Sequence, residues 1–477
     1  MARWRNKRKK IGIQDGLQKV KAENNLDSDD MRGLVWRLAF PSMLAQFVSV
    51  FYSIVDRMYI GNIAGTGEIA LAGVGICGPI VTLISSVAFL VGVGGSPLMS
   101  IRLGEKNERA ARQILANCFL LLTVLSVVIT VISLLVKNHL IMWFGASEAT
   151  FPYANAYITI YLLGTVFALL ATGMNQFIIC QGFAKVGMKS VLIGAVCNII
   201  LDPVFIFGCH MGVRGAAVAT VLSQMASCAY VLRFLFSRRA PVRITFGEYD
   251  WQIMKRVLLI GLSPFLIIAF DNILIIALNT VIQKYGGAEQ GDMLLTCMTI
   301  VQSFMLMVTM PLGGITSGTQ TILGYNYGAR RPERIKKAEV HIAALGLVFT
   351  TVMFLIAHTI PQFFVRIFTQ NETYVELTVW AIKIYTLGII PLAAQYTVVD
   401  GFTGMGIARV AITLSMFRKM IFLGGAFLIP ATMGIKYIFY TEPVSDFISA
   451  AVSVVIYFLV IDRIINRKPV FGRRNMP

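Results

Sequence analysis

The stretch CNIILDPVFIFG, residues 197 to 208, places two polar side chains in a run that is otherwise almost wholly apolar. Asn198 and Asp202 are four residues apart, so on a helix they lie on one face, one turn apart. Pro203 cannot donate to the carbonyl of Ile199 and crowds it, so a kink here would expose that oxygen near the same face. Carboxylate, amide and carbonyl oxygens predict a site for a small hard cation, or for a proton held by the carboxylate.

The composition of the chain places this site in a membrane. Of 477 residues, 56% are hydrophobic and only 14% are charged, which is more apolar surface than one soluble core needs. An ionised Asp at mid-bilayer costs about 2.5 to 3.5 kcal/mol, so Asp202 must face the interior of a helix bundle and have a partner there. Twelve apolar runs of membrane-spanning length lie at about 34–59, 68–100, 111–136, 153–180, 190–208, 215–236, 257–282, 293–323, 340–365, 375–400, 410–432 and 445–462.

The distribution of positive charge predicts the orientation of these spans. Residues 1–33 are polar, include the basic run RWRNKRKK and show no signal-peptide pattern, so we expect both chain ends to be cytoplasmic. Most of the 42 Lys and Arg residues then fall in cytoplasmic joints, as the positive-inside rule requires. The net charge of +18 is therefore interpreted as a topology signal and not as a nucleic-acid footprint. The joints on the other side carry only Lys137, Arg214, Lys284, Arg366 and Lys436.

A repeat divides the chain into two halves. YLLG at 161–164 matches YTLG at 385–388, and GFAKV at 182–186 matches GIARV at 406–410 at the same offset. Because each half holds six spans, the two halves form a parallel repeat, and substrate should lie between them. The sequence thus predicts an all-α polytopic membrane protein, with twelve transmembrane helices in two pseudo-symmetric six-helix lobes. We expect a cytoplasmic basic tail at 1–33, a first lobe at 34–237, a cytoplasmic linker at 238–256, a second lobe at 257–463 and a cytoplasmic tail at 464–477.

Several kinds of site find no support in the sequence. The seven Cys lie within or at the ends of apolar runs without metal or disulfide spacing, which indicates a packing role. No HExxH or nucleophile motif accompanies the four scattered histidines, so we do not expect an enzyme. A receptor or scaffold would leave the buried acids without a purpose. In the linker, Trp251 and Ile253 fit either a short amphipathic helix at the interface or a plain tether.

Four motifs resemble a known family. They are YSIVDRMYIG after Pro41, GVGGSPLMSIRLGEKNERAAR, CNIILDPVFIFG together with MGVRGAAVATVLSQ, and YNYGARRPER in the second half. Together they resemble the multidrug and toxic compound extrusion (MATE) transporters over nearly the whole chain after residue 33. The NIILDP and GAAVAT pair is the most specific part of the resemblance.

The resemblance implies export of small organic compounds, often cations, by alternating access of the two lobes. Inward flow of H+ or Na+ would drive it, without a further cofactor. The implied partners are the small-molecule substrates and the lipid bilayer, with no nucleic acid, and we expect a monomer in the plasma membrane. Pro41 falls where family members can bend the first helix. The implied cation-coupling site consists of Asp56, Asn175, Asn198, Asp202 and Thr220, of which all except Asn175 are candidate Na+ ligands.

A substrate cavity between the lobes should be lined by spans 1, 2, 7 and 8. Met and aromatic side chains there adapt to varied apolar ligands. Asp271 lies about where other branches of the family carry an acid, and either it or Asp400 would supply a second acidic site. The candidate lining residues are Phe47, Tyr52, Met58, Asp271, Phe304, Met305 and Met307.

Other interpretations of these residues stay open. Asp56 alternatively pairs with Arg57, Asp202 serves as a buried hydrogen-bond acceptor, and Thr220 belongs to a close-packing face of small residues. Asp400 alternatively pairs with Arg409 at the cytoplasmic edge. In the second half, Asn198 and Asp202 correspond to Phe422 and Ala426, which predicts no equivalent site there. For the whole chain, the alternative is a flippase of the same superfamily for lipid-linked precursors or polysaccharides, which would need a cationic cavity.

Overall fold

A computed structural model of the protein describes residues 26–27 and 30–466, and these residues form helices and turns without a strand. Twelve helices are long and apolar enough to cross a membrane, which confirms the predicted fold class. The predicted tails lie almost wholly outside the described residues. The spans are α1 Met31–Gly61, α2 Ile69–Gly104, α3 Glu108–Trp143, α4 Phe151–Ile179, α5 Ala184–Gly208, α6 Val213–Phe236, α7 Trp251–Gly286, α8 Met293–Gly328, α9 Pro332–Thr359, α10 Glu372–Gly404, α11 Ala408–Met433 and α12 Ile435–Ile465.

The seventh and eighth spans belong to one helical stretch, Trp251–Gly328. Seventy-eight residues of straight helix would be about 117 Å long, several times the thickness of a bilayer. Gly261 packs against Leu90 of α2, and Gly328 packs against Ile101 of the same helix. Because both ends of the stretch contact one half of α2, the chain reverses between α7 and α8.

Three spans contain local breaks in the α-helical pattern. In α5 the α-helix ends at Pro203 and continues as a π-helical turn, Val204–Gly208, which is the irregularity that a proline within a span predicts. The tenth span is interrupted by a 3-10 turn at Thr386–Gly388. The twelfth opens with the 3-10 turn Ile435–Tyr440 before the α-helix Thr441–Ile465.

Each lobe has its own apolar core. Leu115, Leu122 and Phe177 are fully buried in the first core, and Phe304 and Phe439 in the second. A third cluster draws on both lobes at the end of the molecule where α1 begins and α12 ends. We call this end the closed end. Its buried side chains include Met31, Leu38, Ile101, Ile315 and Ile461.

The burial of α2 shows where the lobes meet. Toward the start of α2 the buried residues recur on one face, at Ala70, Cys77 and Ile84. From 91 to 101 every residue is buried, and α8 shows the same pattern from 318 to 324. A helix packed against one lobe buries one face, whereas a helix between two lobes is buried all round. The lobes therefore touch at the closed end and separate toward the opposite end.

Glycines bring the two lobes into backbone contact. A Cβ atom at Gly104 would lie 1.9 Å from the carbonyl oxygen of Tyr325, and one at Gly328 would lie 2.0 Å from that of Ile101. Farther along α2, a Cβ at Gly94 would lie 2.3 Å from the carbonyl oxygen of Val257. We call these contacts the glycine seam, because the helices approach too closely there for any side chain.

The segment between the lobes is fastened to the first lobe. Asn117 of α3, which is fully buried, donates to the carbonyl of Glu248 at 3.2 Å and accepts from the backbone N–H of Asp250 at 2.8 Å. The backbone N–H of Val242 donates to Gln181 at 2.8 Å. These contacts favour a docked segment over a plain tether. At its end, Ile253 is buried in the first core while Trp251 is largely exposed.

Candidate functional site

The polar pair on α5 lies inside the first lobe. Asp202 has no exposed surface and Asn198 is 2% exposed. The Nδ2 of Asn198 donates to Oδ1 of Asp202 at 3.1 Å, as the four-residue spacing on one helix face predicts. The apolar surroundings leave this hydrogen bond without competition from water, so the carboxyl group is held in one orientation.

The carboxyl group of Asp56, on α1, lies within hydrogen-bonding reach of that of Asp202. Two ionised carboxylates repel each other and offer no donor, so such a contact needs a proton or a cation. Oδ1 of Asp56, Oδ1 of Asn198 and Oδ2 of Asp202 are buried and receive no hydrogen bond. Three hard oxygens without donors suit Na+ as well as H+, so the residues present fit either coupling ion.

Side chains of α4 and α6 surround the acid pair. The hydroxyl of Tyr157 lies near Thr220, and that of Tyr161 lies near Gln224. The two tyrosine rings stack with centroids 6.3 Å apart and an interplanar angle of 12°. Tyr157 therefore lies near both Thr220 and Asp56. Tyr52 of α1, predicted to line the cavity, lies near Asp56 and Asp202.

Two residues predicted for this region lie elsewhere. A Cβ at Gly187 would lie 3.0 Å from Oδ1 of Asn175, and Gly187 is eleven residues, or about 16 Å of helix, from Asn198. In this conformation Asn175 therefore lies at a different depth of the first lobe from Asn198 and Asp202. Pro41 is buried in a helix that continues from Met31 to Gly61, about 22 Å along that helix from Asp56.

The predicted cavity residues separate into two groups. Phe47 and Met58 of α1 are 39% and 58% exposed, so their side chains are available to a ligand or to lipid. Phe304 and Met305 are buried in the core of the second lobe in this conformation, where Phe304 meets Phe364 edge-on at 5.2 Å. Met307 packs against the same core and is half-buried.

Acids and bases of the second lobe pair with one another. Asp271 forms an ion pair with Lys419. Asp400 accepts hydrogen bonds from Thr316 and, at 3.0 Å, from Gln320, so neutral donors of α8 hold it in place of the expected Arg409. The offset positions Phe422 and Ala426 are buried and apolar, as predicted.

Sequence reasoning missed a further group of charges in the second lobe. Arg418 and Lys419 lie ten and eleven residues inside α11, and not in a joint between spans. Arg418 is 8% exposed and contacts Glu442 and Asp446 of α12. The signal was available, because the apolar run predicted at 410–432 already contained both residues.

Comparisons with known proteins agree with this architecture. A family model described as MatE matches residues 41–204 and 268–428. The multidrug export protein MepA of Staphylococcus aureus (strain N315) is 22% identical over 432 residues, covering 89% of this chain and 93% of the relative. Two solved structures share the fold at 22% sequence identity, and each match covers 99% of the solved chain. One is the outward-facing conformation of a multidrug resistance MATE family transporter of the MOP superfamily, with a TM-score of 0.87 and 93% of this chain covered. The other is MATE in complex with MaD3S, with a TM-score of 0.86 and 94% covered.

The two matched segments fall one in each half of the chain and together span well over half of it. Each solved structure matches both six-helix lobes of this protein in one superposition, since the match covers almost the entire chain. The motif resemblance, the twelve spans and the family model therefore converge, and this protein belongs to the MatE family.

Proposed function

We propose that this protein exports small organic compounds, often cations, by alternating access of its two lobes, in exchange for inward H+ or Na+. The observation that carries this proposal is the pair formed by the half-buried Asp56 and the buried Asp202, whose facing carboxyl groups need a proton or cation between them. An ion can drive such a cycle when it binds one conformation of the lobes more tightly than the other. The names of the relatives, which are multidrug exporters, support the same substrate class.

The arrangement of the lobes supports alternating access. If the chain ends are cytoplasmic, as the basic joints predict, the closed end faces the cytoplasm and the conformation is open to the outside. Substrate would leave from the space between the separated lobes. A cation arriving from outside would reach Asp56 and Asp202 in this state, and their protonation or Na+ binding would favour return to the inward-facing state.

A flippase for lipid-linked precursors is the less favoured alternative. Such a protein needs unpaired cationic side chains to hold a pyrophosphate group. The buried cations Arg418 and Lys419 are each paired with an acid instead.

The test is transport by the full-length protein in proteoliposomes. We expect Asp202→Asn to abolish gradient-driven efflux of organic cations, because the amide cannot exchange a proton and binds Na+ more weakly than a carboxylate. Ile200→Ala is the matched control, since Ile200 lies on the same helix but is 58% exposed. Separate pH and sodium gradients identify the coupling ion. Wild-type efflux by a folded Asp202→Asn protein would overturn the proposal.

A further inference from the structure

The second lobe contains a buried cluster of charges that the proposed transport cycle does not yet use. Arg418 donates through Nε to Oδ1 of Asp446 at 2.8 Å and through Nη2 to Oε1 of Glu442 at 2.5 Å. The hydroxyl of Tyr385 donates to Oε2 of Glu442 at 3.4 Å. We call these four residues, contributed by α10, α11 and α12, the second-lobe cluster.

The cluster carries an imbalance of charge. One guanidinium contacts two carboxyl groups, and the three residues are at most 8% exposed. With both acids ionised, the cluster would hold one uncompensated negative charge in a low-dielectric interior, which costs several kcal/mol. A single bound proton removes that charge and leaves one ion pair.

The neighbouring charges do not supply the missing compensation. Lys419, the next residue of α11, forms an ion pair with Asp271 of α7. Tyr396 of α10 contributes a hydroxyl that is near Arg418, Asp446, Asp271 and Asp400. The nearby Asp400 is held by the neutral donors Thr316 and Gln320 of α8. The groups facing the cluster from α7, α8 and α10 therefore add no unpaired positive charge.

One atom of the cluster is available to a proton. Asp446 has no exposed surface, and its Oδ2 atom is buried without receiving a hydrogen bond. It lies against the 3-10 turn of α10, where a Cβ at Gly388 would be 3.0 Å from it. A proton at Oδ2 breaks no existing hydrogen bond, because the guanidinium contacts the other oxygen of Asp446.

The pseudo-symmetry of the lobes relates this cluster to the acid site of the first lobe. Gly164 of α4 packs against Val221 of α6, and its repeat partner Gly388 of α10 packs against Asp446 of α12. In the first lobe Tyr161 lies near Gln224 of α6, and its repeat partner Tyr385 donates a hydrogen bond to Glu442 of α12. Helices 10 to 12 therefore hold ionisable groups where helices 4 to 6 hold the shell of the first acid site.

We propose that the second-lobe cluster binds one exchangeable proton at Asp446 and forms a second proton-exchange site, separate from Asp56 and Asp202. The occupant is a proton and not Na+, because a guanidinium at the centre of the cluster repels a metal cation. Asp446 is sealed in this conformation, so exchange with water needs a different packing of α10, α11 and α12. The role of this proton in transport rests on the proposed function, whereas its binding does not.

Infrared difference spectroscopy of the full-length protein in lipid nanodiscs tests the proposal. On raising the pH, the wild type should lose the carbonyl band of a protonated carboxyl group that Asp202→Asn does not remove. Asp446→Asn should abolish this band. Glu442→Gln should abolish this band too, because Asp446 then remains the one acid beside the guanidinium and stays ionised. Glu442→Asp keeps two acids and should retain the band. A spectrum of folded Asp446→Asn or Glu442→Gln that titrates like the wild type would overturn the proposal, and the second variant decides if the first does not fold.

Transport measurements then test the coupling. At equilibrium between proton and substrate gradients, the number of protons exchanged per substrate should fall by one in Asp446→Asn and Glu442→Gln. An unchanged ratio in both variants would overturn the assignment as an exchange site. Failure of the proposed function would give a different result from failure of this proposal. The Asp202→Asn variant would then transport normally, while the infrared band assigned to Asp446 would persist.

Discussion

The acid site of the first lobe contains buried oxygen atoms that receive no hydrogen bond. These atoms are Oδ1 of Asp56, Oδ1 of Asn198 and Oδ2 of Asp202. A buried acceptor without a donor costs about 1 to 3 kcal/mol, so the arrangement is stable when a proton or cation occupies it. The site is therefore built to prefer a loaded state, and unloading it requires access for water from one side.

Asn198 tests this interpretation at the residue scale. Asn198→Ala should weaken binding of the coupling ion roughly tenfold or more, because it removes the hydrogen bond that orients Asp202 and one candidate oxygen ligand. The measurement is efflux as a function of pH or sodium concentration in proteoliposomes. Ile200→Ala should leave that dependence unchanged, and an equal shift in both variants would contradict a specific role for the amide.

The sequence predicts part of this site. The pair Asn198 and Asp202 follows from helical spacing within an apolar run, and the resemblance adds Asp56 and Thr220. Tyr157 and Gln224 are not predicted. The local sequence around an aromatic or polar residue of a membrane helix does not distinguish a side chain that faces lipid from one that faces the core or the site. Their side chains reach the site only through the way α4 packs on α6, which is a tertiary property.

At the scale of helices, the glycine seam determines how closely the lobes approach. Helix backbones in contact gain dispersion energy over many atoms, which drives helix association in lipid where the hydrophobic effect is absent. The same close fit makes the seam intolerant of any added side chain. Opening of the closed end must therefore separate the backbone of α2 from those of α7 and α8.

Gly104 provides a test at this scale. Gly104→Ala should destabilise the conformation by about 1 to 3 kcal/mol, because its Cβ would lie 1.9 Å from the carbonyl oxygen of Tyr325. Gly75→Ala is a matched control on the same helix, since a Cβ there meets nothing within 4 Å. Thermal unfolding of both purified variants measures the difference. Equal melting temperatures would show that the seam relaxes without cost.

The helices of the second lobe show a limit of sequence reasoning. The apolar runs predict all twelve spans, and α11 at Ala408–Met433 lies within two residues of the predicted run at 410–432. The count of cytoplasmic Lys and Arg residues includes Arg418 and Lys419, although both lie within the predicted run at 410–432. Their acid partners lie on α7 and α12, and sequence spacing does not reveal contacts between separate helices.

At the scale of the whole molecule, the contact of the two lobes at one end implies a second state in which that contact is broken. The closed end is held by both the glycine seam and a shared apolar cluster. A transporter that works by alternating access must release both together. Holding the lobes in contact should therefore stop transport without affecting the fold.

A cross-link between Ser100 of α2 and Gly324 of α8 tests this requirement. A Cβ at Gly324 would lie 3.1 Å from the Cβ of Ser100, so a small relaxation admits a disulfide. Oxidation of the Ser100→Cys, Gly324→Cys double variant should abolish efflux, and reduction should restore it. Each single variant is the control for loss of glycine or serine. Continued transport by a fully cross-linked protein would refute separation of the lobes at this end.

The docking of the inter-lobe segment has a mechanical consequence. Because Asn117 holds Glu248 and Asp250, the chain between the lobes travels with the first lobe as one body. Free rotation of the second lobe can then begin only near Asp250, whose side chain caps the first turn of α7 through Gln252. Few residues separate the contacts of Asn117 from the first turn of α7, so a small tilt of α7 is transmitted directly to α3.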